Sequence, residues 1–190
     1  MAVLDVVVYP AQVLETPATE VTEFDDKLRA FVADMHETMH AASGIGLAAN
    51  QVGSLQRVIT INIPYEGDRY EQEEEVREEW HDKALTIINP KITKKIGKFK
   101  YQEGCLSFPE IFEFVQRAAT VTVEYQDEFG KAQNITASGI MAVCLQHEID
   151  HIDGIIFVSR MSRLKQNIVR KKLARLGDPE NQIEESTETL

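Results

Sequence analysis

The stretch from Ile140 to near Gly154 constrains the fold of this chain more than any other. Ile140, Met141, Ala142, Val143, Cys144, Leu145, Ile149 and Ile152 recur there so that a helix built on them is apolar on nearly every side. Such a helix has to be enclosed by the rest of the protein. Within it lies the hexapeptide Gln146-His147-Glu148-Ile149-Asp150-His151. Four residues apart on a helix, His147 and His151 share one face about one turn from each other, close enough to hold one metal ion. Glu148, beside the first histidine, is placed to reach a water activated by that ion without being a ligand itself. The plain alternative is a pair of core histidines. Buried imidazoles need partners, however, and a metal satisfies two at once.

The same HExxH string occurs a second time, as His36-Glu37-Thr38-Met39-His40. There the apolar stripe is Leu28, Phe31, Val32, Met35 and Met39, on a helix with Thr22 as its expected N-cap. His36 and His40 fall well off the centre of that stripe and Glu37 faces away from it, so this copy is expected on a solvated flank with no metal.

A catalytic metal takes a third protein ligand and keeps a position open for water. Cys144 shares a face with His147 but lies seven residues before His151, about 10.5 Å along a helix, too far for both to bind one ion through bonds of about 2.3 Å. Cys105, in the turn Glu103-Gly104-Cys105-Leu106-Ser107-Phe108-Pro109, is the better third ligand, and Cys144 becomes a wall residue. Some HExxH peptidases carry a later histidine in the pattern HExxHxxGxxH. This chain follows that pattern to Gly154 but has Phe157 at the last position, and after Asp153 no acid occurs before the tail. The missing downstream ligand argues against a peptidase.

Length and composition set the frame. At 190 residues and 43% hydrophobic content, the chain suits one globular domain, expected over residues 1–177, with a polar acidic and disordered tail at 178–190. No run approaches the roughly 20 apolar residues of a membrane span, and the first residues lack a signal peptide's basic start, so a cytoplasmic protein without a membrane partner is expected. Two cysteines are too few for a disulfide framework. The net charge of −11 is uneven. Acid collects in the tail and in an insertion at about 65–83, most simply a solvated surface segment, although Tyr65, Tyr70 and Trp80 would allow packing as a flap. Seven basic residues and no acid lie from Arg160 to Arg175, on a helix expected to be capped by Ser162. That local charge can meet phosphate despite the acidic body, with no DNA partner expected.

The remaining elements follow from pattern. Val3 to Tyr9 is a short strand or arm, and 57–63 and 85–88 read as strands. Lys91 to Tyr101 is expected to continue the same sheet, and Ala118 to Gln126 pairs with Ala132 to Ala137 across the turn at 127–130. The segment Gly44-Ile45-Gly46-Leu47-Ala48-Ala49-Asn50-Gln51 suits a backbone that a ligand or another chain approaches closely. No internal repeat is present.

Three strings in this order, GIGLAANQ at 44–51, EGCLS at 103–107 and QHEIDH at 146–151, resemble the signature motifs of the peptide deformylases. The likeness covers nearly the whole chain, and EGCLSFP with a long C-terminal helix looks like the Gram-negative bacterial type. The resemblance implies an α+β fold, mostly antiparallel sheets packed around the buried HExxH helix, with a C-terminal helix. It implies a metal-dependent hydrolase that removes the formyl group from the N-terminal formylmethionine of new proteins. Position by position, it implies Cys105, His147 and His151 as metal ligands, Glu148 as general base and acid, and Gln51 with the backbone N–H of Leu106 as oxyanion donors. It further implies an extended peptide beside Ile45, Gly46 and Gly104, and a methionine pocket walled by Ile45, Tyr101, Glu103, Ile140, Val143, Cys144 and His147. The implied native ion is iron(II), with zinc, nickel or cobalt able to replace it, and the implied ribosome contact is the basic helix. Glu103 is expected to pair with Arg117 and brace the cysteine turn. Asn50 stands where the motif often has threonine, and Phe112 where many relatives carry a basic residue. The competing readings are a metallopeptidase and a catalytically silent, ribosome-binding metal protein; intact Glu148 and Gln51 argue against the silent one.

Overall fold

The computed structural model describes residues 2–63 and 84–176. Three helices, α1 (Asp26–Ala41), α2 (Gly139–Ile152) and α3 (Arg163–Leu176), accompany strands β1 (Gly46–Ala48), β2 (Val58–Ile61), β3 (Leu85–Ile96), β4 (Phe99–Cys105), β5 (Phe108–Arg117), β6 (Thr120–Gln126) and β7 (Ala132–Ser138). Strands β1-β2-β3-β6-β7 form a five-stranded sheet, antiparallel at every pairing, while β4 and β5 form a separate antiparallel hairpin. This is the expected α+β architecture.

α2 sits where its sequence requires. Every residue of it except Ile140 is buried. Met141, Ala142, Leu145, Ile149 and Ile152 join Ile59, Ile61, Ile87, Val121, Val123 and Ile135 of the sheet in one core cluster. The helix stops in a left-handed residue, Gly154 at φ +72°, whose N–H donates to the His151 carbonyl at 2.9 Å. A Cβ at Gly154 would lie 2.9 Å from the Glu15 carbonyl oxygen, so both conformation and space call for glycine there.

Several boundaries differ from the sequence-based expectation. The cap of α1 is Asp25, not Thr22: the Asp25 carboxylate accepts from Leu28 N at 2.9 Å, while Asn89 Oδ1 accepts from Val21 N and keeps the preceding segment extended. Of the two forms expected for Val3 to Tyr9 the structure has the arm, tied by Val7 N to the Gln51 carbonyl (2.7 Å) and by Tyr9 N to the Ser107 carbonyl (3.0 Å). The chain from Lys91 to Tyr101 does not stay in one sheet. β3 ends at Ile96, the chain turns through Gly97 (φ +65°), and β4 takes β5 as its only strand partner among the described residues. Ser162 lies at the start of α3 as expected, although its Oγ reaches Lys165 N only at 3.4 Å. The acidic insertion with Tyr65, Tyr70 and Trp80 and the tail at 178–190 lie outside the described residues.

Candidate metal centre

Three elements converge on one point. α2 supplies His147 and His151 from one face, the tip of the β4–β5 hairpin supplies Cys105, and the short 3-10 helix Ala49–Val52 after β1 supplies Gln51. Cys105 Sγ lies 3.2 Å from His151 Nε2, which lies 3.2 Å from His147 Nε2. Among the described residues, these are the one group of three His, Cys, Asp or Glu side chains whose ligand atoms all fall within 4.8 Å of one another. Zinc-like bonds of about 2.0–2.3 Å give a tetrahedron donor separations of about 3.3–3.7 Å, so this donor set fits one small divalent ion after slight expansion. The surroundings fit as well. Burial above all holds His151 well below the ordinary histidine range, as the neutral imidazole a ligand requires.

A line of ion pairs stands behind these three donors. His147 Nδ1 is 2.8 Å from Glu103 Oε2, and Arg117 donates to both Glu103 oxygens, at 2.7 and 2.9 Å. The expected Glu103–Arg117 pair is thus present and buried. Arg117 also pairs with Asp150, which pairs in turn with Arg160. Burial would raise the Glu103 carboxyl, but the hydrogen bonds from Arg117 and His147 outweigh it and hold the group at about 2.

Glu148 is buried, its Oε2 has no hydrogen-bond partner, and its pKa is raised to about 7, chiefly by burial. It faces β1 so closely that a Cβ on Gly46 would lie 2.5 Å from Glu148 Oε1. The glycine expected to admit a ligand therefore also admits this carboxylate. Gln51 is oriented by its own loop: Oε1 accepts from Ala48 N at 2.9 Å, leaving Nε2 directed at Cys105 Sγ (3.6 Å) and Ser107 Oγ (3.2 Å).

A cavity of about 510 Å³ opens onto these groups. Its walls include Ile45, Gly46, Gln51, Tyr101, Glu103, Gly104, Cys105, Leu106, Ile140, Val143, Cys144, His147 and Glu148. Of the residues expected as ligands, catalytic groups or pocket walls, His151 alone is absent from this lining. Ser107, Asp150, Arg160 and Asn50 were not singled out for this site. Asn50 Nδ2 donates to the His151 carbonyl at 2.5 Å, and Ser107 Oγ receives the Gln51 amide. A charged residue such as Asp150 inside an apolar helix is a usable signal, and Asn50 and Ser107 lie within two of the three quoted strings; nothing local marks Arg160.

The second HExxH string differs from expectation in one detail. His40 is exposed, but His36 is half-buried, with Nε2 3.1 Å from Thr86 Oγ1. Burial and the His40 charge lower its pKa.

The family model described as polypeptide deformylase matches residues 3–167. The peptide deformylase of Helicobacter pylori (strain P12) is 44% identical over 176 residues, covering 93% of this chain and 96% of its own. The solved structure of a peptide deformylase from Legionella pneumophila matches with a TM-score of 0.80 at 38% identity, over 92% of this chain and 95% of that one. That of the Ehrlichia chaffeensis peptide deformylase in complex with actinonin matches with a TM-score of 0.82 at 39% identity, over 93% and 99% of the two chains.

Proposed function

The chain belongs to the polypeptide deformylase family, and we propose how its residues divide the work of that family's reaction. The protein is a metal-dependent hydrolase that removes the formyl group from the N-terminal formylmethionine of newly synthesised proteins and releases formate. Cys105, His147 and His151 would hold the divalent ion, which when bound supplies Lewis acidity and lowers the pKa of water. Gln51 Nε2 and the backbone N–H of Leu106 donate to the formyl oxygen as negative charge develops on it. Glu148 takes a proton from the attacking water and hands it to the departing nitrogen. The formyl C–N bond breaks, and the products are formate and a free amine.

The observation that carries this reading is the setting of Glu148. It is a buried carboxylate with one oxygen unpartnered and a pKa raised to about 7, on the same cavity as Cys105 and Gln51. A group titrating near neutral pH both accepts and returns a proton efficiently. The methionine side chain enters the cavity between Ile45, Tyr101, Glu103, Ile140, Val143, Cys144 and His147. The peptide behind it runs extended past Gly46 and Gly104, adding to β1, an edge strand of its sheet.

Iron(II) is the proposed native ion; a thiolate with two imidazoles also accommodates zinc, nickel or cobalt. Residues 1–177 are taken as one catalytic domain, working in the cytoplasm; among the described residues no helix is long and apolar enough to cross a membrane. Helix α3 is the proposed ribosome contact. Exposed Arg163, Arg170 and Lys171 support that role, whereas Arg160 and Lys165 pair with Asp150 and Glu113. Reversing the charge of those three exposed residues should abolish ribosome cosedimentation and spare formate release from a formyl-methionyl peptide; unaltered cosedimentation removes the assignment.

The activity is tested with anaerobically purified protein of measured metal content and a formyl-methionyl peptide. Formate release without internal cleavage is expected. Internal cleavage without formate overturns the reading.

A further inference from the structure

We propose that Arg160 is a positioning residue for the metal centre, acting on His147 through a line of alternating charges that starts at the protein surface. Arg160 closes the short 3-10 helix Phe157–Arg160, and its side chain is 40% exposed. Its Nε donates to Asp150 Oδ2 at 2.9 Å and its Nη2 to Asp150 Oδ1. Asp150 Oδ2 also accepts from Arg117 Nη1, Arg117 grips Glu103, and Glu103 reaches His147 Nδ1. The three inner members are only 3–10% exposed.

The order of the signs carries the argument. With Arg160 present, two buried carboxylates face two guanidinium groups. Without it, Asp150 and Glu103 share Arg117 alone, and every hydrogen bond Arg117 turns toward Asp150 weakens its two-pronged hold on Glu103. Glu103 in turn fixes the His147 ring. A carboxylate accepting from Nδ1–H keeps the Nε2 lone pair aimed at the centre, and such partners of a ligating histidine commonly affect metal affinity by 10–100-fold.

The 3-10 helix touches His147 at a second point. The Phe157 ring centroid lies 5.7 Å from that of His147 and 5.3 Å from that of Phe108, which follows the cysteine turn. One short segment thus braces the ligand by ring packing and by charge together. By sequence Arg160 opens the basic stretch, but the fold pairs its guanidinium with Asp150.

The test uses the full chain loaded with cobalt(II), comparing Arg160→Met, which keeps the aliphatic stem, with Arg160→Lys, which keeps the charge. Arg160→Met should release cobalt to a chelator about 10-fold faster than wild type and shift the visible absorption bands of the bound ion. Its kcat should fall with KM for a formyl-methionyl peptide unchanged, and Arg160→Lys should recover much of each change. Release rates and spectra equal to wild type, even with a lower melting temperature, make Arg160 a purely structural residue and overturn the proposal. If Arg160→Met does not fold, Arg160→Gln replaces it, and equal release from Arg160→Gln and Arg160→Lys contradicts the charge argument. The inference rests on the metal-site reading; if that reading fails, wild type itself takes up no stoichiometric cobalt and both fall.

Discussion

Glu103 Oε2 lies 2.8 Å from His147 Nδ1, and the same carboxylate is gripped through both oxygens by Arg117. A group on the hairpin therefore decides which imidazole nitrogen on α2 faces the centre. The hairpin tip and the helix are held in register by that contact, and Cys105, two residues beyond Glu103, arrives against His151 as a result.

This pairing makes stability depend on pH. Glu103 titrates near 4.5 when unfolded and at about 2 when folded. A depressed carboxylate stabilises the fold fully above the unfolded value and loses that contribution as pH falls from about 4.5 toward 2, in total about 3 kcal/mol. Urea unfolding of wild type and Glu103→Gln, with chelator present, should show a stability gap at neutral pH that closes through this window. A gap that stays constant down to about pH 3 contradicts the pairing's energetic role.

Arg117→Met leaves Glu103 and Asp150 buried without their shared cation. Breaking a buried pair from one side costs about 3–5 kcal/mol, and the variant should also retain less metal after dialysis. Denaturant unfolding with metal analysis checks both; unchanged metal content would show that the pair does not brace the ligands.

At Gly46, an added methyl group would lie 2.5 Å from Glu148 Oε1 and 2.8 Å from Cys144 Sγ. Gly46→Ala should fold, at a cost of about 1–3 kcal/mol for overpacking. Formate release should drop by about 100-fold, because a small displacement of a catalytic group has that effect. Wild-type kcat in this variant would mean that Glu148 moves freely without consequence.

Gln51→Leu removes a donor while keeping apolar bulk. Losing one oxyanion donor lowers kcat by about 10²–10³. Because Ala48 N also loses its acceptor, stability should fall by about 1–3 kcal/mol. Steady-state kinetics showing a rise in KM with kcat intact would reassign Gln51 to substrate binding.

Much of this site was legible before any coordinates. The fourfold spacing of His147 and His151 on a helix apolar all round implied burial, and helix length alone removed Cys144 as a shared ligand. Gln51 and Leu106 had no such local mark and came from the resemblance of three strings. What stayed hidden was non-local. Arg160 and Lys165 looked like part of one solvated basic stretch because a charge count along the chain says nothing about direction, and the fold pairs them with Asp150 and Glu113. The switch of β4 from the main sheet to a hairpin with β5 was hidden for the same reason, since alternation marks a strand but not its partner. The helix start expected at Thr22 failed because Asn89, 68 residues beyond Val21, binds both the N–H and the carbonyl of Val21 just ahead of it.

The most direct test of the central claim is formate release by Glu148→Gln at a metal content matched to wild type. The substitution keeps the shape and removes the proton carrier. Metal stoichiometry and KM should be unchanged while kcat falls by about 10²–10⁴. A Glu148→Gln protein that holds its metal and releases formate at the wild-type rate would contradict the assignment of Glu148 as the group that moves the proton.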